Sequence, residues 1–331
     1  MVRTAFIVDP LARLDPATDT SVGLMMAAQD RGAEVLVTEV NQLEAVNGRA
    51  RALARPLRLA PFGPAVGHRF TAAEPWYSLG SARNVWMDEM GAVFMRTEPP
   101  VDQAYLTATL ILDLVDPSRT AMVNDPRGLR LCSEHLFPLR FPDLIPPTIV
   151  TADPRSIRSF LAEHGVLVVK PVDGFSGRGV LRLHRHDPNL ASLIELCTGA
   201  GREWLMAQEY LPAAVQGDKR ILLVDGEPLG AILRVPPPGE IRGNIHVGAT
   251  VVATDLDADD LRICDALRSE LRARGLWFVG LDVIGGKLTE VNVTSPTGIQ
   301  ELGRLSGGDP TGKVIDWLER HPFGRGLPLF Q

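Results

Sequence analysis

Apolar positions along the first 120 residues follow two alternating rhythms. Thr4 to Val8, Glu34 to Val40 and Gly91 to Arg96 are short apolar runs, whereas Ser21 to about Arg31 carries apolar residues at helical spacing and closes on Gly32. Such alternation predicts a small α/β unit with a parallel sheet. Between Gly48 and Asn84 prolines and glycines interrupt the pattern, so only loops and short strands are expected there. Met122 to Pro126 reads as a strand end and a turn. From Pro147 onward strands arrive in pairs, with helices expected at Asp153 to His164, Asn189 to Thr198 and Asp257 to Arg274. The change of rhythm sets boundaries near Asn124 and Gly199. It divides the chain into an α/β unit over residues 1–123 and α+β units over 124–199 and 200–331.

The most informative segment lies near the end of the chain. Leu276 to Ile284 and Leu288 to Thr294 are rich in β-branched and aromatic residues, and Gly285, Gly286 and Lys287 separate them. They predict a β-hairpin. With a three-residue loop, Ile284 pairs with Leu288 and Asp282 falls opposite Glu290. Alternation then puts Asn292 on the same face and sends Leu281, Val283, Val291 and Val293 into a core. Two carboxylates and an amide oxygen are hard ligands too few to enclose an ion, which suits Mg²⁺ shared with phosphate oxygens. The same alternation also fits a solvated outer face of an antiparallel hairpin.

Composition narrows the function classes. The 331 residues are 45% hydrophobic and 22% charged, as in globular proteins with two or three domains. A formal net charge of -6 argues against nonspecific nucleic-acid binding. No apolar run reaches the roughly 18 residues needed to span a membrane, and the first nine residues open a strand rather than a signal peptide, so a cytoplasmic location is expected. Cys132, Cys197 and Cys264 are too far apart for a disulfide framework or a zinc site. Lys170, Lys219, Lys287 and Lys313 are the only lysines amid many arginines. A compact ammonium reaches phosphate oxygens in a way that a planar guanidinium does not.

Lys170 ends an apolar run beginning at Val166 and precedes a loop containing Gly174, Ser176, Gly177 and Gly179, after which Val180 to Leu183 reads as a second strand. Glycine backbone lets amides approach phosphate oxygens closely. No helix follows the loop, which counts against a dinucleotide fingerprint or a Walker loop; a plain glycine hairpin is the alternative. Gly307 to Lys313 has the Walker spacing, but Val314 stands where a hydroxyl residue is needed and no apolar strand precedes it. It is read as a loop leading into the final helix. Trp204 to Leu211 is a further apolar strand that turns polar before Pro212. His184 and His186 lack a carboxylate spaced to join them as metal ligands and read as exposed residues.

Taken in order, these segments resemble the ATP-grasp ligases, and among them the bacterial glutathione synthetase family. The resemblance extends over Ile7 to Pro10, Met95 to Pro100, Val169 to Gly174, Met206 to Pro212, Gly217 to Arg220, Val224 to Pro228, Arg242 to Asn244, Phe278 to Asp282 and Leu288 to Thr297. It implies an α/β N-terminal domain followed by α+β ATP-grasp lobes that hold ATP between two antiparallel sheets. It further implies that Lys170 binds ATP phosphates, that Gly174, Ser176, Gly177 and Gly179 belong to the loop covering them, and that Gln208, Glu209, Tyr210 and Leu211 line the adenine pocket. Asp282, Glu290 and Asn292 would hold Mg²⁺, with Mn²⁺ as the alternative ion. Arg220, Arg234 and Arg242 would face the substrate carboxylate and its growing charge, and Asp218, Asn244, Ser295 and Thr297 would position the peptide. Pro236 to Arg242 would be a lid against water.

The implied reaction is ATP-dependent carbon–nitrogen ligation through an acyl phosphate: γ-glutamylcysteine and glycine joined to give glutathione, ADP and phosphate. The partners would be small peptides and amino acids, with no nucleic acid or membrane, in a homo-oligomer. This chain departs from the family pattern at three places. His135 stands where the family has a second phosphate-binding lysine, Thr97 where it has another lysine, and Ile245 to Val251 where it has a glycine- and arginine-rich stretch. Weaker or more pH-sensitive ATP binding is the expectation from His135. The alternatives are a related ligase with another donor or amine, and a nucleotide-binding protein without catalysis.

Overall fold

The computed structural model describes residues 3–66, 69–175, 177–240, 243 and 248–320. Ser176, Arg242 and Asn244 lie outside the described residues, as do Ile241 of the proposed lid and residues 245–247 of the stretch after it.

The first unit is the expected parallel sheet. Ala121–Val123, Ala92–Met95, Arg3–Ile7 and Glu34–Thr38 lie side by side and parallel. Their interior residues are buried on both faces, which is why they read as continuous apolar runs. Phe6 and Phe94 stack across adjacent strands with ring centroids 4.5 Å apart. The helix Thr20–Asp30 begins where the Asp19 carboxylate accepts the Val22 N–H and ends before Gly32 at φ 79°, the left-handed turn that glycine allows. The interrupted stretch after Gly48 holds an 11-residue strand, Arg49–Leu59, antiparallel to Glu34–Thr38. Its buried positions include Ala50, Ala52 and Ala54, so the period of two was present but carried by small residues.

Thr148–Thr151, Leu205–Glu209, Val166–Pro171 and Leu181–His184 form a four-stranded antiparallel sheet in that spatial order. Helices Pro154–His164 and Leu190–Cys197 cover one face, enclosing Ile157, Leu161, Leu167, Val169 and Ile194 in a separate core. A boundary near Gly199 would strip this sheet of Leu205–Glu209, its second strand, so the lobe runs on to Glu209. The start near Asn124 shifts as well, because residues 124–146 side with the next sheet. Val291 donates its N–H to the Glu134 carbonyl, and Leu288 donates to that of Leu144.

The third sheet runs Thr250–Thr254, Glu227–Val235, Asp218–Val224, Phe278–Ile284 and Lys287–Asn292, antiparallel throughout. Helix Ala258–Ala273 supplies Ile263, Cys264, Leu267 and Leu271 to its core. The Asn124 side chain joins this sheet to the first unit: its amide nitrogen donates to the carbonyls of Phe278 at 2.8 Å and Val293 at 2.7 Å, and its oxygen accepts the Phe278 N–H at 2.8 Å. Gly307 to Lys313 leads into helix Pro310–Arg320, where Asp309 accepts the Gly312 N–H and Arg31 pairs with Asp316 at 2.5 Å. The three cysteines are free. Among the described residues no helix is long and apolar enough to cross a membrane.

Candidate active site

The hairpin predicted at the end of the chain forms with a different turn. Gly285 and Gly286, at φ 55° and 73°, make a two-residue connection in which Ile284 faces Lys287, not Leu288. A register shift between Asp282 and Val283 then restores Asp282 opposite Glu290. Leu281, Val283, Val291 and Val293 are buried as expected. Neighbouring strands extend the polar row. Arg220 stands opposite Asp282, and Asp218, two residues earlier, stands opposite Arg234. Alternation therefore collects Asp218, Arg220, Arg234, Asp282 and Glu290 on one face of the sheet.

That face is not a solvated exterior. Arg220, Arg234 and Asp282 are only 3 to 4% exposed. Arg220 grips both Asp282 oxygens through Nε at 2.5 Å and Nη2 at 3.0 Å, and Arg234 Nη2 lies 3.0 Å from Oδ2. Burial works to raise the Asp282 pKa, but the two guanidinium groups win and hold it well below the usual carboxylate range. Asp218 is in the opposite position: burial outweighs Arg234, and the neighbouring Asp282 charge helps to push it up to about 7. Burial and then Asp282 raise Glu290 as well. Asp218 Oδ1 is buried with no hydrogen-bond partner.

The four-stranded sheet supplies the opposite wall. Lys170 is buried, and its ammonium spans the cleft to donate to the Thr289 carbonyl at 3.1 Å. Burial lowers its pKa, against the raising influence of Glu290 and Asp282. Between the sheets lies about 950 Å³ of empty space bounded by Val168, Lys170, Tyr210, Leu211, Asp282, Ile284 and Glu290. Its walls are apolar at one end and carry ionisable groups at the other, as in a small-molecule site. His135 enters from the segment lying along the hairpin, its Nε2 3.7 Å from Glu290 Oε1. Burial, followed by the Lys170 charge, drives its pKa down to about 3, so the imidazole is neutral.

Of the residues singled out from sequence, this cavity gathers His135, Lys170, Gly174, Gly177, Gln208, Glu209, Tyr210, Leu211, Asp218, Asp282 and Glu290. Arg220 and Arg234 lie beneath its floor and touch it through Asp282. Gly179 and Asn292 are not among its walls; the Asn292 amide points back toward the Gly280 carbonyl at 3.4 Å. Ser295 donates to the Arg96 carbonyl at 3.1 Å, and Thr297 lines a second cavity on the side of the parallel sheet. Sequence reasoning missed Pro146, Val168, Val180, Ala214, Ile284 and Thr289. Val168 carried a usable signal, standing two residues before Lys170 and hence on the same strand face.

Among the described residues no group of three or more His, Cys, Asp or Glu side chains forms a metal cage. The carboxylates fit a cation that takes its remaining ligands elsewhere. Glu290 faces the cavity with its pKa raised, a position that positive charge would relieve, whereas both Asp282 oxygens are already held by guanidinium groups.

Comparison with known proteins agrees with this architecture. Residues 2–130 match the prokaryotic glutathione synthetase N-terminal domain and residues 134–307 the prokaryotic glutathione synthetase ATP-grasp domain. The chain is 47% identical over 319 residues to a glutathione synthetase of Synechocystis sp., covering 96% of this chain and 99% of that one. It is 49% identical to one of Thermosynechococcus vestitus, with 95% and 98% covered. Among solved structures, the ATP-grasp ligase PsnB complexed with minimal precursor superposes at TM-score 0.64 with 19% identity, covering 96% of this chain and 99% of that one. D-cycloserine synthetase DcsG does so at 0.64 with 16% identity and the same coverage. The fold is that of the ATP-grasp ligases, and both halves of the sequence match in order, so the chain belongs to the prokaryotic glutathione synthetase family.

Proposed function

We propose that this enzyme joins γ-glutamylcysteine to glycine at the expense of ATP, giving glutathione, ADP and phosphate. The observation that carries the reading is Lys170 reaching from one sheet to the hairpin of the other that bears Asp282 and Glu290. A nucleotide in that cleft lays its base against Val168, Leu211 and Ile284 and its phosphates toward Lys170 and the loop from Gly174 to Gly179. A carboxylate is a poor electrophile until its oxygen accepts the γ-phosphoryl group. The amine nitrogen of glycine then attacks the carbonyl carbon, phosphate leaves with the carbon–oxygen electron pair, and the amine loses a proton.

Arg220 and Arg234 supply fixed positive charge under the site where oxyanions develop. They are anchored by Asp282, so no side chain must be reoriented when that charge appears. Glu290 is the first candidate ligand for Mg²⁺, with Asp282 and Asn292 beside it and Mn²⁺ as an alternative ion. When bound, the ion neutralises phosphate oxygens during transfer. Ser176, Arg242 and Asn244 are assigned to the phosphate loop and the substrate side by family likeness alone, and Ser295 and Thr297 to the donor. The units are redrawn as an N-terminal unit to residue 123, a small lobe over 148–209, and a large lobe combining 124–146 with 212–320. A cytoplasmic, homo-oligomeric enzyme is the accompanying proposal.

Product analysis of the purified chain is the test. ADP and glutathione should form in equal amounts from γ-glutamylcysteine, glycine and MgATP. No ADP with that pair rejects the assignment, and a panel of other dipeptides and amines then separates a ligase of different specificity from a protein that only binds nucleotide.

A further inference from the structure

A nucleotide triphosphate carries a chain of anionic oxygens into the cleft between the two sheets, and the cations waiting there are few. Arg220 and Arg234 lie beneath the floor, the first on both Asp282 oxygens and the second between Asp218 and Asp282. The His135 imidazole is neutral. The carboxyl groups of Glu209, Asp218, Asp282 and Glu290 line the same space and add negative charge or none. Lys170 is the buried cation, and its ammonium donates to the Thr289 carbonyl. Among the described residues, one other side chain brings positive charge to these walls, that of Arg178.

Arg178 stands between Gly177 at φ 72° and Gly179 at φ 73°, two left-handed positions that turn the chain sharply on either side of it. The Gly174 N–H donates to the Pro171 carbonyl at 3.1 Å and the Arg178 N–H to that of Phe175 at 3.0 Å, so the loop is folded on itself by its own backbone. A long cationic side chain is thereby carried on a loop made mostly of small residues. Its guanidinium rests over the Phe175 ring, 5.2 Å from the centroid, and forms no ion pair among the described residues. Such a contact at an exposed site is weak, whereas a charge-assisted pair with phosphate oxygens is strong. Phe175 and Arg178 both line the cavity, so the oxygens that could draw the guanidinium from the ring enter the space that it already borders.

We propose that Arg178 is a nucleotide-contacting residue whose guanidinium leaves the Phe175 ring when ATP enters and grips the phosphate chain, supplying with Lys170 the fixed positive charge that the neutral His135 does not. The inference rests on the ligase reading above and assigns a side chain within a loop otherwise read through its backbone. Arginine suits the task in a way that lysine does not. A planar fork meets two oxygens at once, and it remains charged at any working pH. Lys170, by contrast, is a point charge whose pKa burial lowers. During transfer the same guanidinium faces oxygens on which charge is redistributed, where a fixed cation lowers the barrier.

Calorimetry with a nonhydrolysable ATP analogue and Mg²⁺ tests this on the unaltered protein, Arg178→Gln and Arg178→Lys. Arg178→Gln should raise the Kd about tenfold or more, since a charged pair is lost. Arg178→Lys keeps the charge without the fork and should fall between the other two. Adenosine, which has no phosphate, should bind all three alike, so a loss confined to the analogue separates phosphate recognition from a disturbed fold. Equal analogue affinity in the three proteins, or a loss shared by adenosine, overturns the role of Arg178 and leaves the ligase assignment standing. No analogue binding to the unaltered protein, together with no ADP from γ-glutamylcysteine and glycine, overturns both.

Discussion

The Arg220–Asp282 pair is buried on both sides, which makes each partner costly to remove alone. Arg220→Ala leaves the Asp282 carboxylate to Arg234 alone, and a loss of about 1–3 kcal/mol in stability is expected, read from urea midpoints. An unchanged midpoint would mean that water reaches the pair freely. Lys170→Ala should weaken MgATP binding about tenfold or more by calorimetry, since a hydrogen bond to a charged phosphate is lost; full affinity would remove Lys170 from the phosphate site. His135 carries a pH signature. In the folded chain the imidazole stays neutral down to about pH 3, but in the unfolded chain it takes up a proton below about 6.5. The unfolded state therefore binds more protons as pH falls through 6.5, and stability must decline in that direction. Between pH 7 and pH 5 the unaltered protein should lose more stability than His135→Asn, and parallel curves would contradict the neutral assignment. A neutral ring also offers ATP no fixed cation.

At the scale of elements, the loop from Gly174 to Gly179, proposed to cover the phosphates, depends on backbone that only glycine adopts easily. Gly179 has φ 73°, and a Cβ there would approach Pro171 Cγ to 2.8 Å. Gly179→Ala should therefore raise KM for ATP and cost about 1–2 kcal/mol in stability, checked by kinetics and thermal melts; a silent substitution would mean that the loop rearranges at no cost. The hairpin was legible because β-branched residues at a period of two specify both strand and face. Its turn was not, because a bulge between Asp282 and Val283 restores the same cross-strand partner from a different loop length. Arg49–Leu59 escaped notice because alanine buries little surface and so marks a core face weakly. The polar row was legible as one face, but alternation does not say what covers it. The covering sheet is completed by a strand nearly 40 residues downstream of Val166–Pro171, a pairing that no local pattern encodes.

In the whole molecule, the small lobe has its own core around Ile157, Leu167 and Ile194, whereas the parallel sheet and the large lobe share theirs: Leu36, Val93, Ile221 and Val291 belong to one cluster. A nucleotide in the cleft touches small and large lobes together. A nonhydrolysable ATP analogue with Mg²⁺ at about 100 times its Kd should add about 2.7 kcal/mol to stability. Hydrogen exchange should slow in both Val166–Pro171 and Lys287–Asn292. Protection confined to one of them would place the nucleotide elsewhere. The Asn124 amide bears on how such enzymes diversify. By standing in for three backbone partners of Phe278 and Val293, it welds the first unit to the catalytic sheet. A chimera that took residues 1–124 from a relative lacking that asparagine would leave these three backbone groups unmet, so N-terminal units cannot be traded like cartridges unless the weld travels with them.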